Sequence, residues 1–172
     1  MAVPAEADRS QLGVVIQSAA LNTGTILQNI VGVLPYNGSD AWAAAELAGV
    51  AADVRAMPMG MQTIVTEGGS TFSGGQVQRL MIARALLRQP KILIFDEATS
   101  ALDNETQATV TASLAQLGVT RIVIAHRLST IRAADRIYVM DRGRVVESGC
   151  YTDLVAAGGL FSRLAQRQLL SR

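Results

Sequence analysis

Apolar positions fall along this chain in short runs of two kinds, some at helical spacing and some continuous, and the two kinds alternate. Leu12 to Ile16 is a β-branched run that ends at Gln17 and predicts a strand. Leu47, Val50, Val54 and Met57 recur at helical spacing after a cap at Ser39-Asp40, and Pro58 and Gly60 end the pattern. One amphipathic helix is expected there. A second helix starts after Ser73, with apolar residues from Val77 to Leu87. Gln89-Pro90 stops it, because the residue before a proline is pushed out of the α region.

Lys91 to Phe95 is apolar without alternation, as in a strand covered on both faces of a parallel sheet, and Asp96-Glu97 follow at its carboxyl end. Gln107, Val110, Leu114 and Leu117 mark the next helix, and Gly118 ends it. Arg121 to Ala125 reads as a second buried strand that delivers His126. Ile137 to Met140 and Arg144 to Glu147 flank Asp141-Arg142-Gly143, a hairpin turn, and from Tyr151 the chain reads as helix broken at Gly158-Gly159. The first ten residues carry no periodic pattern, and there is no internal repeat.

Composition narrows the classes. The 172 residues, 49% hydrophobic and 17% charged, suit one globular domain and argue against disorder. A net charge of +1, from 15 basic against 14 acidic residues, gives no large field to attract nucleic acid, which is not expected as a partner. A lone cysteine, Cys150, cannot form an internal disulfide and fits a reducing compartment. No run approaches the roughly 20 apolar residues of a membrane span, and residues 1–8 lack the basic flank and apolar core of a secretion signal. Contact with a membrane is therefore expected through a partner or through sequence outside this chain.

Strands alternating with helices predict an α/β fold with a mostly parallel sheet, and ligands of such sheets bind beyond the carboxyl ends of the strands. Gln17, Asp96-Glu97 and His126 all stand at such ends. The carboxylate pair suits a Mg-nucleotide site, one holding the hydrated metal and the other polarising an attacking water, although a solvated strand terminus has the same composition. Ser73-Gly74-Gly75-Gln76 opens a helix, so free N–H groups, a hydroxyl and the positive end of the helix dipole converge on one small volume. Taken alone, a plain helix cap by Ser73 explains those residues as well.

In their order and spacing these pieces resemble the ATP-binding-cassette (ABC) nucleotide-binding domain. Phe72-Ser73-Gly74-Gly75-Gln76 with Gln78-Arg79 looks like its signature. Ile92 to Glu97, followed by Ala98-Thr99-Ser100-Ala101-Leu102-Asp103, looks like the Walker B strand and D-loop. Ile122 to Thr130 resembles the switch-histidine segment, and Val15-Ile16-Gln17 the Q-loop.

The resemblance implies a P-loop NTPase-type α/β domain with an inserted helical subdomain, using ATP and Mg2+. It makes Asp96 the metal-side carboxylate, Glu97 the general base and His126 the γ-phosphate switch. Gln17 would sense metal and water and touch the transmembrane part. Ser73, Gly74, Gly75 and Gln76 would meet a nucleotide held by the opposite subunit, and Asp103 would lie in the dimer contact. The implied partners are a second nucleotide-binding domain, in a homodimer or heterodimer, and a transmembrane permease, which places the domain on the cytoplasmic face of the plasma membrane. Residues 1–11 are an unmatched leader on this reading, and 12–172 a partial domain. Its helical subdomain spans about 22–90, its catalytic core 91–148 and its C-terminal helices 149–172.

Only some tens of residues separate Gln17 from the signature, as in transporters, and no heptad stretch of a DNA-repair or chromosome-organising relative is present. Thr25-Ile26-Leu27-Gln28-Asn29-Ile30 resembles the exporter continuation of the Q-loop. Asp53 to Thr63, with Glu67-Gly68-Gly69, looks like the ATPase half of bacterial peptide or bacteriocin exporters.

The chain departs from the family in one decisive way. No Gly-x-x-x-x-Gly-Lys-Ser/Thr occurs in it, and no adenine-stacking aromatic precedes Gln17. The expectations are an ATPase fragment of an exporter, inactive alone, with unpaired sheet edges, an exposed apolar face and marginal folding. The alternative is a short non-catalytic protein that docks on a complete ATPase and donates its signature. An in-frame phosphate loop and membrane spans in the upstream genomic sequence favour the first.

Overall fold

The computed structural model describes residues 11–16, 20–66, 72–96, 102–125 and 128–170. They divide into two compact units, residues 1–124 and 125–172.

In the first unit, β1 (Leu12–Val15), β4 (Ile92–Asp96) and β5 (Thr120–Ile124) form a parallel sheet in the order β1-β4-β5. The register sets Val15 beside Phe95 and Phe95 beside Val123. All three strands therefore discharge the chain at one end of the sheet.

One face of this sheet is packed and the other is bare. Gly13, Val15, Leu93 and Phe95 are buried on the side of α4 (Gly74–Leu86). Val14, Ile94 and Ile122 stand in a row on the opposite face, and Val14 and Ile122 are 52% and 50% exposed. The exposed apolar face expected from the sequence is present. The buried character expected of the strand at Arg121 to Ala125 is not: every residue of β5 is exposed. Among the described residues β4 is its one neighbouring strand, and the apolar composition of a strand does not show whether its faces are covered.

Between β1 and α4 lies a helical region. A two-residue ribbon pairs β2 (Gly24–Thr25) with β3 (Ile64–Val65) and brackets α1 (Ile26–Val31), α2 (Gly38–Leu47), α3 (Ala51–Ala56) and a 3-10 turn at Gly60–Gln62. The single helix expected from Ser39 to Met57 is two. Asn37, not Ser39-Asp40, caps α2: its side chain accepts from the N–H groups of Ser39 and Asp40, and Asp40 accepts in return from the Asn37 N–H. The break falls at Gly49, whose φ of 68° is left-handed and favours glycine. Val50 and Val54 remain fully buried beyond it.

Asn29 ties α1 to the chain that leads out of β1. Its side chain accepts from Asn22 N–H at 2.7 Å and donates to the carbonyls of Asn22 at 2.8 Å and Thr25 at 3.0 Å, at 4% exposure. Removing it takes the side-chain partner from the N–H and carbonyl of Asn22 and opens a gap in the buried start of α1. Asn29→Ala is expected to lower stability by about 2–3 kcal/mol, read as a lower urea midpoint at unchanged slope. A midpoint equal to wild type would refute this account.

Beyond Asp96, α5 (Asn104–Gln116) packs Val110 and Leu114 into the same core before β5.

The second unit begins with α6 (Leu128–Arg132). It continues as an antiparallel hairpin of β6 (Ile137–Asp141) and β7 (Arg144–Gly149), then α7 (Tyr151–Ala156) and α8 (Leu160–Leu170). The hairpin turns at Arg142-Gly143, both at positive φ, which suits the right-handed twist of paired strands. Glu147 fixes the start of α8 by accepting from the N–H groups of Leu160 and Phe161. The small core of Val139, Leu154, Phe161 and Ala165 is edged by Tyr151, which meets Phe161 in a T-shaped contact at 5.6 Å.

Candidate functional site

Helix α4 opens on a capping box: the Ser73 hydroxyl accepts from Gln76 N–H at 3.2 Å, and Gln76 Oε1 accepts from Ser73 N–H at 3.0 Å. The pattern follows directly from Ser-x-x-Gln ahead of an apolar run. Two consequences bear on ligand binding. Ser73 spends an oxygen lone pair on the cap, so its hydroxyl hydrogen is still available to donate. The N–H groups of Gly74 and Gly75 have no partner among the described residues. Ser73 and Gly74 are exposed and Gly75 half-buried, so an anion can reach this helix end.

Gln76 is committed differently. Its Nε2 donates to Asp53 Oδ1 at 2.9 Å, and the Arg79 guanidinium, one turn further along the helix, donates to Asp53 Oδ2 at 2.9 Å. Arg79 also donates to the carbonyls of Gly49 at 2.6 Å and Gly75 at 3.3 Å. The ion pair is largely shielded, with Arg79 14% and Asp53 26% exposed. A hollow of about 210 Å³ lined by Gly49, Arg79, Thr106, Thr109 and Val110 adjoins it. Its one cation already faces a carboxylate, so it offers an anion little.

Asp96 ends the central strand, half-buried, and its carboxylate has no hydrogen-bond or ion-pair partner among the described residues. A carboxylate so placed keeps its lone pairs for a hard cation or its waters. Asp103 caps α5, accepting from Thr106 N–H at 2.9 Å and from the Thr106 hydroxyl at 2.7 Å. Gln17, Glu97 and His126 lie outside the described residues. They follow closely in sequence on Val15, Asp96 and Ile124, where the three parallel strands end. Ser73, Gly74, Gly75 and Gln76 are thus gathered on one helix end, and Asp96 stands on the sheet.

Sequence reasoning missed Asp53 and Asn29 as organising residues. The i, i+3 spacing of Gln76 and Arg79 is the available signal that one external acceptor serves both.

The arrangement offers phosphate donors at one helix end and a metal-ready carboxylate at a strand end. A family model described as "ABC transporter" matches residues 3–100, a span that takes in the residues ahead of Leu12. The ABC transporter ATP-binding protein YwjA of Bacillus subtilis (strain 168) is 49% identical over 163 residues, covering 93% of this chain and 28% of that protein. A multidrug resistance ABC transporter ATP-binding and permease protein of Lactococcus lactis subsp. lactis (strain IL1403) is 46% identical over 165 residues, covering 94% of this chain and 28% of its own length. The structure of a bacterial Atm1-family ABC exporter with ATP bound superposes with a TM-score of 0.89 at 41% identity, over 93% of this chain and 28% of that one. The chain spans less than a third of each.

Proposed function

This chain belongs to the ABC transporter family, and on that premise we propose that it supplies the signature, metal-side and switch parts of a domain that couples MgATP hydrolysis to export across a membrane. The observation that carries the reading is the end of α4, where the Ser73 hydroxyl and two N–H groups without a partner among the described residues lie at an accessible, positive helix terminus. Those donors fit a phosphate, and the carboxylate of Asp96, without a partner among the described residues, fits a hydrated Mg2+.

In this reading Asp96 holds the metal side and Glu97 polarises the attacking water. His126 contacts the γ-phosphate, and Gln17 links the metal to a transmembrane permease. Asp103, while capping α5, stands at the contact with a second nucleotide-binding domain. No helix among the described residues is long and apolar enough to cross a membrane. On the likeness to exporters, the permease is a separate segment or chain, and the domain sits on the cytoplasmic face of the membrane.

A Gly-x-x-x-x-Gly-Lys-Ser/Thr motif does not occur in the 172 residues. Without its lysine and N–H groups the carboxylates would face a polyanion unassisted, so nucleotide is held only with a loop from outside them. An exporter fragment and a short protein donating its signature to a complete ATPase both meet that condition. A peptide or bacteriocin as cargo rests on the likeness of residues 53–63 and 67–69 alone. Asp53 already has an internal task, so the cargo is chosen elsewhere.

The test is equilibrium binding of MgATP to the chain alone and to its mixture with a complete ABC ATPase domain, beside Glu97→Gln in the chain. Alone, no binding is expected at about millimolar nucleotide. In the mixture, association should require MgATP. Tight binding by the chain alone would refute the role given to the missing loop, and a mixture indifferent to MgATP would refute the function.

A further inference from the structure

The contacts made by Asp53 assign a role to a residue that no phosphate would touch. Asp53 lies on α3 and reaches across to α4, where its Oδ1 receives the Gln76 amide and, at 3.4 Å, Arg79 Nη2, and its Oδ2 receives Arg79 Nη1. The Gln76 amide is thereby held from both ends, its oxygen by Ser73 N–H and its nitrogen by Asp53. A side chain held so is a strut, and what it fixes is the first turn of α4.

Charge reinforces the arrangement. A bare carboxylate this close to the end of α4 would oppose an incoming phosphate, but Arg79 cancels it, and Arg79 is itself anchored by the Gly49 carbonyl at the break between α2 and α3. The three residues form a neutral, hydrogen-bonded group with most of its surface withdrawn from water, the setting in which such bonds hold geometry best.

We propose that Asp53 is a positioning residue of the signature, clamping Gln76 and Arg79 so that the Ser73 hydroxyl and the Gly74 and Gly75 N–H groups keep one presentation to the nucleotide. This rests on the nucleotide-binding reading of that helix end. It departs from the family expectation for Gln76, which here acts as a strut and not as a phosphate ligand.

A swap of hydrogen-bond polarity tests it. In Asp53→Asn the amide N–H2 can turn towards Gln76 Nε2 or Arg79, setting donor against donor. In Gln76→Glu two carboxylates face one another. The double variant Asp53→Asn/Gln76→Glu restores donor to acceptor: the carboxylate now on α4 accepts from the amide now on α3 and from Ser73 N–H. It also keeps the wild-type net charge.

Two readouts are taken on the full chain: amide hydrogen exchange at residues 76 and 77, whose N–H groups donate to the Ser73 hydroxyl and carbonyl, without nucleotide, and MgATP-dependent association with a complete ABC ATPase domain. Each single variant should speed exchange at 76 and 77 and weaken association about tenfold, and the double should return to within about threefold of wild type. A double no better than the worse single overturns the proposal, since a direct nucleotide ligand at Gln76 would not be rescued from α3. Exchange unchanged in Asp53→Asn overturns it as well, with no reference to nucleotide. If exchange follows the expected pattern while the wild type shows no MgATP-dependent association, the nucleotide reading fails. The clamp is then structural only, and its positioning role is overturned with that reading.

Discussion

Gly13→Val is expected to lower the stability of the first unit by about 3 kcal/mol or more, and Gly13→Ala by about 2. Gly13 sits in β1 beside Leu93 of the central strand, with the C-terminal turn of α4 across it. A Cβ built there would lie 2.6 Å from Leu93 Cδ2, 2.9 Å from the Ala85 carbonyl oxygen and 3.0 Å from Pro90 Cγ. A flexible, exposed neighbour could yield, but Leu93 is fully buried and the Ala85 oxygen is backbone in the middle of the sheet–helix contact. Against the clash stands the usual gain from replacing a strand glycine, about 0.5–1 kcal/mol, which is too small to reverse the sign. The measurement is the urea midpoint of the chain. A Gly13→Val midpoint at or above wild type would show that β1 and α4 do not approach as closely as described.

The same close approach is visible in the order of residues alone. A glycine in a β-branched run signals close passage of another backbone, and the periods on either side of it place β1, α4 and β4 correctly. The hairpin around Arg142-Gly143 and the break between α7 and α8 are legible for a similar reason, because turn residues sit between periodic segments. The split between α2 and α3 is not legible from apolar spacing. Left-handed Gly49 restarts the helix with Val50 and Val54 still facing the core, so the apolar rhythm continues across the break. Nor could the run Ile122-Val123-Ile124 announce its exposure, since an apolar run does not show whether anything covers the faces of its strand. Helices α1 and α6 are five or six residues long, too short to display a period.

The candidate site divides along the same line. Ser73 and Gln76 are local partners three residues apart, and the capping box can be read from the letters. Asp53 meets Gln76 and Arg79 from 23 and 26 residues away, through a contact that only the packing of α3 on α4 creates. Local chemistry was legible, and the residue holding it in place was not.

Under the proposed function the largest change in binding belongs to Gly75→Asp, expected to weaken MgATP-dependent association with a complete ABC ATPase domain by about a hundredfold while leaving the urea midpoint at or slightly above wild type. Gly75 is the second residue of α4, half-buried, with an N–H that has no partner among the described residues. Within the chain an aspartate there is welcome. It complements the positive helix end by about 0.3–1 kcal/mol and relieves part of the glycine penalty in a helix. Towards a phosphate the same charge is hostile: at about 4 Å in a partly shielded contact, like charges repel by about 4 kcal/mol, and after screening about 3 kcal/mol remains, a factor of about a hundred. Gly75→Ala adds bulk without charge, and its loss should be only a few-fold. The two properties therefore move in opposite directions for Gly75→Asp, which separates a damaged fold from a blocked anion site. Association as tight as wild type would mean that no phosphate approaches this turn, and a collapsed midpoint would mean that Gly75 serves the fold instead.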